Sequence, residues 1–561
     1  MLKYILITII IAISSCDKND NNNATIPTFT KEKLYKNGLI YTVNSNQEWA
    51  QAMLVKNGII TAIGSEAEVL MKVSVNAEII DLNNKMVLPG IHDVHVHPLE
   101  AASNNFLFTL NTTETNSDNY IATITEAVAD NPNSDWILGW GFDLYTLLEA
   151  NKEPLAILDA ISTTKPIAIM EQTSHAVWVN SKALELASID KNTLNPSGGI
   201  IMKNNLGLPN GLLIDNAGNL LIDIAVASMP NNQQNDYDGL VNYALPELAK
   251  NGITSICDAR TYWKRNHHLV WQQAEKDGKL TVRVNLGLWL YPTLEKELQI
   301  NSITNLFSNN PESLLKVNQI KLYSDGIIIN TTAAMTQNYL FSIFNLPDNN
   351  GLNYLSQKNI ANYIAALEPV GFDFHIHAIG NRGVNEALNA IEETTNGDGR
   401  HRITHVEYVL PSDYGRFKSL NVTADAQVAG DFSQPANWHE TDDFIGAALN
   451  NANIPIKNLQ QAEARITLSS DWDVSPLNPF IGIKNAVTRA PQEISLANAI
   501  RAYTINGAYV MRQETKVGSL EVGKEADFIV LDQNLFSIPA NQIDQTKVLK
   551  TYLKGNLIFE L

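Results

Sequence analysis

The sequence predicts an α/β fold: a (β/α)₈ barrel of the TIM type with a long insertion, and a small β-sandwich built from both chain ends. Three observations predict it. Eight short apolar runs alternate with helical stretches through the middle of the chain, as a parallel sheet with crossover helices requires. The two ends are instead rich in short alternating strands with tight turns. Metal-capable side chains recur at the C-terminal ends of the middle runs, where a barrel gathers its catalytic groups. The 561 residues, 45% of them hydrophobic and 18% charged, are enough for a large core. The net charge of -19 argues against binding a phosphate backbone. Two cysteines, Cys16 and Cys257, exclude a disulfide scaffold or a cysteine-rich zinc module.

From the N-terminus, Lys3 is followed by an apolar run to Ile13 and then Ser14-Ser15-Cys16. A basic start, a short apolar segment and small residues before a cysteine describe an export signal ending in a lipobox, with Cys16 as the lipidation site. The run is too short for a permanent span. Asp17 to Asn23 is polar and asparagine-rich, a flexible tether. The expected product is an exported bacterial lipoprotein, periplasmic or surface-facing, touching the membrane only through its anchor. Residues 1–16 are thus read as the signal peptide and 17–33 as the tether. Residues 34–88 form the first part of the sandwich, with Asn57-Gly58 as a hairpin turn. Residues 89–490 form the barrel, with an insertion at about 105–245, and residues 491–561 the last helix and the rest of the sandwich.

The expected barrel strands are 87–94, Gly252–Asp258, Val282–Leu290, Gln319–Tyr323, Phe372–His377, Arg402–Val406, Val422–Gln427 and Ile466–Ser470. On the first, His95 and His97 are two residues apart and face one way, so they can ligate one ion together. His377, His405 and Asp471 each close a later strand. Imidazoles with a carboxylate suit zinc or a similar divalent ion. Trp140, Trp178 and Trp472 are candidates for an apolar pocket wall, and Asp258, at the end of the second strand, for a substrate contact. Cys257 reads as an inert buried thiol. His267, His268 and His439 lie in polar stretches and read as exposed.

These residues resemble the metal-dependent amidohydrolase superfamily, and more closely its YtcJ-like branch, which includes N-substituted formamide deformylases. The likeness is carried by Pro89 to His97, Ser174 to Leu184, Gly252 to Ala259, Lys321 to Gly326, His377 to Gly380, Ser470-Asp471 and Gly518 to Asp527. It implies that His95, His97 and Asp471 bind the more buried metal and that His377 and His405 bind a second ion or position substrate. It implies Lys321 as a ligand from the fourth strand, carboxylated so as to bridge; the alternative is a Lys321 ammonium paired with Asp325. His175 corresponds to a position facing the site. Two departures stand out: Asn381 where the branch usually has Asp, and Asp215 where it usually has Glu.

The implied enzyme is an amidohydrolase with one or two divalent ions, zinc first among them. It cleaves a non-peptide C–N bond in an amide, N-formyl or cyclic amide by metal-activated water, with Asp471 shuttling the proton and His405 assisting. An ester, lactone or carbamate hydrolase using the same centre is one alternative. A non-catalytic surface-binding lipoprotein is another. The partner is a small molecule, nucleic acid is excluded, and a homodimer is compatible with the sequence.

Overall fold

The computed structural model describes residues 32–344, 349–394, 398–450 and 453–561. The lipidation residue Cys16 and most of the tether lie outside them.

The barrel strands are β1 (Ile91–Val96), β2 (Ile253–Thr261), β3 (Arg283–Trp289), β4 (Leu315–Tyr323), β5 (Asp373–Ala378), β6 (Arg402–His405), β7 (Thr423–Ala426) and β8 (Arg465–Leu468). They form one eight-stranded parallel sheet in chain order. Closure comes from two main-chain bonds beyond β8: Asp471 N–H donates to His95 O at 2.9 Å, and His97 N–H to Trp472 O at 2.7 Å. Helices such as His267–Lys276, Gln357–Leu367 and Asn381–Thr394 return the chain between strands. Outward residues including Ile256, Leu286, Ile320, Ile376 and Ile403 are buried under these helices in the main core. Each such side chain contributes about 1.5–3 kcal/mol.

The stretch 87–94, read from sequence as one strand, is two elements. Met86–Pro89 belongs to the sandwich and Ile91–Val96 to the barrel. Gly90 separates them, and a Cβ there would meet Thr254 Oγ1 at 2.1 Å. Hydrophobicity is continuous across the break because both strands are buried, so the pattern alone could not show it.

The sandwich packs a four-stranded sheet of residues 32–81 against a six-stranded sheet that combines residues 39–89 with residues 528–560. Tyr35, Met53, Ile60, Val87, Phe528 and Tyr552 share its core. Asn57 (φ 52°) and Gly58 (φ 82°) make the turn between Ala52–Lys56 and Ile59–Gly64. Both central residues carry positive φ, as the hairpin turn signalled by Asn-Gly demands.

Between β1 and β2 the chain builds a separate six-stranded mixed sheet from Phe108 to Asp215. Its cores include Trp178, fully buried, whose indole N–H donates to Pro154 O at 2.8 Å, so this tryptophan is part of the insertion's core. The insertion presents Trp140, Ser174 and His175 to the barrel mouth.

Candidate metal centre

His95 lies on the inner face of β1, and His97 follows the strand's last residue, Val96, at the cap of the short helix Pro98–Ala101. Their Nε2 atoms lie 3.2 Å apart. Asp471 Oδ1 is 3.2 Å from His95 Nε2 and 3.1 Å from His97 Nε2. Lys321 Nζ, from the inner face of β4, is 3.2 Å from His95 Nε2. Zinc bonds of about 2.0–2.1 Å in tetrahedral array set ligand atoms roughly 3.3 Å apart. The side chains present therefore fit a divalent ion held by His95, His97 and Asp471. Burial lowers both imidazoles, His95 well below its ordinary pKa, so they are neutral, and against its own burial Asp471 is held well below the usual carboxylate range by its contacts with the histidines. Lone pairs and negative charge thus converge on one point.

The groups behind the ligands suit this role. His97 Nδ1 lies 3.3 Å from Glu100 Oε2, and Arg260 grips Glu100 through Nε at 3.0 Å and Nη2 at 2.8 Å. On the other side, His95 Nδ1 lies 2.8 Å from Thr404 Oγ1, whose hydroxyl donates to Asp425 Oδ2 at 2.7 Å. With its proton given to Asp425, the Thr404 oxygen accepts from His95 Nδ1–H, which leaves the Nε2 lone pair for a metal. His375 Nε2 is 3.1 Å from the same nitrogen, and His375 Nδ1 accepts from Arg402. Of these two contacts, the one to Thr404 is compatible with ligation through Nε2. Glu100, Arg260, His375, Thr404 and Asp425 were not singled out from sequence. His375 and Thr404 did sit on expected strands, two residues before His377 and one before His405.

His377 and His405 come together, ring centroids 4.3 Å apart, and His405 meets His95 at 5.0 Å. His377 Nε2 donates to Gly326 O at 3.1 Å, while His377 Nδ1 is buried with no partner among the described residues. That unused lone pair can face a second ion or a substrate donor. Thr404 occupies the inner face of β6, so simple alternation would turn His405 outward. A φ of 76° brings its ring back, and Asp471 also has positive φ, 56°. Such backbone costs of order 1–3 kcal/mol per residue and gathers at functional sites. The insertion adds His175, whose Nδ1 is 2.6 Å from Asp215 Oδ1 and whose ring stacks over Tyr323 at 5.8 Å. The shorter Asp215 therefore does reach this site. Asn381 instead accepts from Thr336 N–H at 2.8 Å.

Several expectations are corrected. Lys321 does not pair with Asp325, whose carboxylate accepts from the backbone of Ala334, Ile379 and Gly380. Burial pushes the Lys321 ammonium down to about 7. Asp258 is not at a strand end and does not face the mouth: β2 runs on to Thr261, and Asp258 Oδ2 accepts from the Trp271 indole at 2.7 Å in the helix layer. Its neighbour Cys257 takes the inward place, near His375. His267 and His268 are buried, 5% and 8% exposed. Their polar surroundings misled because Arg265 beside them is itself buried, on Asp223 and over Tyr262. His439 is exposed, as expected.

A cavity of about 300 Å³ opens beside the ligand cluster, bounded by Glu100, Ser174 and Asp473. Trp140 forms part of its wall, its indole Nε1 buried with no partner among the described residues.

The sequence profile of the amidohydrolase family matches residues 78–559. The chain is 25% identical to YtcJ of Bacillus subtilis over 94% of its length and 99% of that protein's. It is 24% identical to the N-substituted formamide deformylase of Arthrobacter pascens over 95% of this chain and 99% of that one. With LONG AFTER FAR-RED 3 of Arabidopsis thaliana it shares 27% identity over 94% and 91%. The crystal structure of an uncharacterized metal-dependent hydrolase from Pyrococcus horikoshii superposes with a TM-score of 0.71 over 91% of this chain and 99% of that one, at 22% identity, and shares the fold.

Proposed function

Because the chain belongs to the amidohydrolase family, in its YtcJ-like branch, we propose that this amidohydrolase uses water to cleave a non-peptide C–N bond in an amide, N-formyl compound or cyclic amide. The observation that carries the reading is the convergence of His95 Nε2, His97 Nε2 and Asp471 Oδ1 within 3.2 Å of one another at the barrel mouth. A divalent ion held there, zinc by the character of its donors, supplies Lewis acidity and lowers the pKa of water from about 15.7 to about 7. Asp471, ionised and with its Oδ1 committed to the histidines, takes the water proton on its other oxygen and delivers it to the leaving nitrogen. An amide nitrogen leaves poorly without that proton. His405, kept neutral by burial and lying beside His95 and His377, would assist as a ligand of a second ion or as a donor to the developing oxyanion. His377 shares that role through Nδ1. Lys321, with its ammonium pushed down to about 7, is available as a neutral amine that would add to carbon dioxide and release a proton to solvent, giving an anionic carbamate beside His95. Trp140 and His175 contact the substrate.

Metal analysis of the purified protein and a hydrolysis screen over N-formyl amines, N-acyl amino acids, cyclic ureides and esters test the reading. Turnover of esters with no activity on any amide would replace it. Native mass spectrometry reads the carbamate on Lys321 directly.

We further propose that the chain is an exported lipoprotein anchored at Cys16 to a cell-envelope membrane, on the strength of the Ile13-Ser14-Ser15-Cys16 sequence and the polar stretch after it.

A further inference from the structure

The cavity beside His97 shows which limb of a substrate it would take. Its apolar wall includes Phe106, Trp140 and Met170. Most of its charged groups already have partners. Glu100 is gripped by Arg260. Arg265 donates through Nε to Asp223 Oδ1 at 2.6 Å. Asp236 Oδ1 accepts from Ser103 Oγ at 2.6 Å and from Asn105 Nδ2 at 2.8 Å. Among the described residues, three polar atoms of the cavity are left buried and unpartnered: Asp473 Oδ1, Trp140 Nε1 and Arg265 Nη2. A buried polar atom without a partner costs about 1–3 kcal/mol, which a bound ligand group can recover.

Charge decides between these atoms. The Arg260 and Arg265 charges are each matched by a carboxylate in contact. Asp236 and Asp473 make no ion pair with Lys or Arg among the described residues, and the nearest imidazole, His267 Nε2, stands 3.7 Å from Asp236. The cavity therefore holds two carboxyls with no Lys or Arg in contact, over an aromatic and aliphatic wall; burial pushes Asp473 up to about 7, and a cation beside it would favour its ionised form. An anionic limb would meet those carboxyls. A protonated amine on a short apolar stem would answer Asp473 and lie against Trp140, whose ring face also favours a cation.

We propose that this cavity is the subsite for a substrate limb bearing a protonated amine, and that Asp473 selects it. The class is an amide whose apolar N-substituent or acyl chain ends in an ammonium group. The assignment rests on the hydrolase reading of the adjoining site, so the test separates the two by measuring binding apart from turnover. The zinc-loaded protein is titrated calorimetrically with phenethylamine, phenethyl alcohol and phenylacetate, probes of one shape and three charges. The amine should bind at least about tenfold more tightly than the alcohol, and the carboxylate most weakly. Asp473→Asn should bring amine and alcohol within about twofold, and Asp473→Glu should restore part of the difference. Equal binding of the three, tighter binding of phenylacetate, or an amine preference that survives in Asp473→Asn would overturn the proposal. If Asp473→Asn does not fold, the wild-type order of the three probes still decides. An amine preference in a protein that hydrolyses no amide would sink the hydrolase reading and keep the subsite. Amide turnover with no amine preference would do the reverse.

Discussion

Asp471 and His95 are joined twice: the Asp471 backbone N–H donates to His95 O at 2.9 Å, and Asp471 Oδ1 stands 3.2 Å from His95 Nε2. The first contact helps close the barrel between its last and first strands. The second completes the donor cluster. Closing the fold and assembling the site are one event, so residues from opposite ends of the barrel sequence meet without a dedicated loop.

Asp471→Asn keeps the shape and removes both the anionic ligand and the proton carrier. We expect kcat/KM to fall by about 10²–10⁴-fold, with metal content reduced in elemental analysis. Retained activity would remove Asp471 from the mechanism.

Thr404→Val removes the acceptor for His95 Nδ1–H, while Asp425 keeps the hydroxyls of Thr467 and Ser469. The expected loss is about 10–100-fold in metal affinity, read by chelator competition on folded protein. Unchanged affinity would show that the Thr404 hydroxyl does not fix the His95 tautomer.

His175→Ala deletes the one imidazole that the insertion sends into the mouth. Because His175 stacks on Tyr323 and touches none of the proposed ligands of the buried ion, metal content should hold while kcat/KM drops by about 10²-fold. A parallel loss of metal would make it a ligand instead.

Asp258→Asn should leave catalysis intact, since the carboxyl serves Trp271. Burial raises the Asp258 pKa to about 7, against about 3.9 in an unfolded chain. A raised carboxyl pKa means the folded state favours the protonated form. Its destabilising ionisation therefore grows as pH rises from about 4 to about 7 and is constant above, with an upper bound of roughly 4 kcal/mol. The Asn variant, which cannot ionise, should gain melting temperature over wild type at pH 8.5 more than at pH 5.5. An equal difference at both values contradicts this.

Cys16→Ser should abolish incorporation of labelled palmitate and move the protein out of the detergent-soluble membrane fraction after export. Membrane retention in that variant would replace lipid anchoring with another attachment.

By itself the sequence determined the α/β class, the eight-strand count and the two-ended sandwich, because alternation and turn residues such as Asn57-Gly58 act locally. The residues of the donor cluster were legible too, since strand-end histidines and Asp471 recur in barrel order. What it could not give is orientation and partnership. Asp258 and Cys257 are adjacent, and only the register of β2 decides which faces the barrel axis. His405 reaches the site through a left-handed backbone that no alternation pattern encodes. Gly90 divides two buried strands whose hydrophobicity runs unbroken. Asp425, Thr404 and Glu100 act through side chains far away in sequence, and the burial of Arg265, His267 and His268 depends on acids brought to them by other elements. Local pattern fixes which elements form. The balance between desolvation and a compensating partner is settled only when distant segments meet.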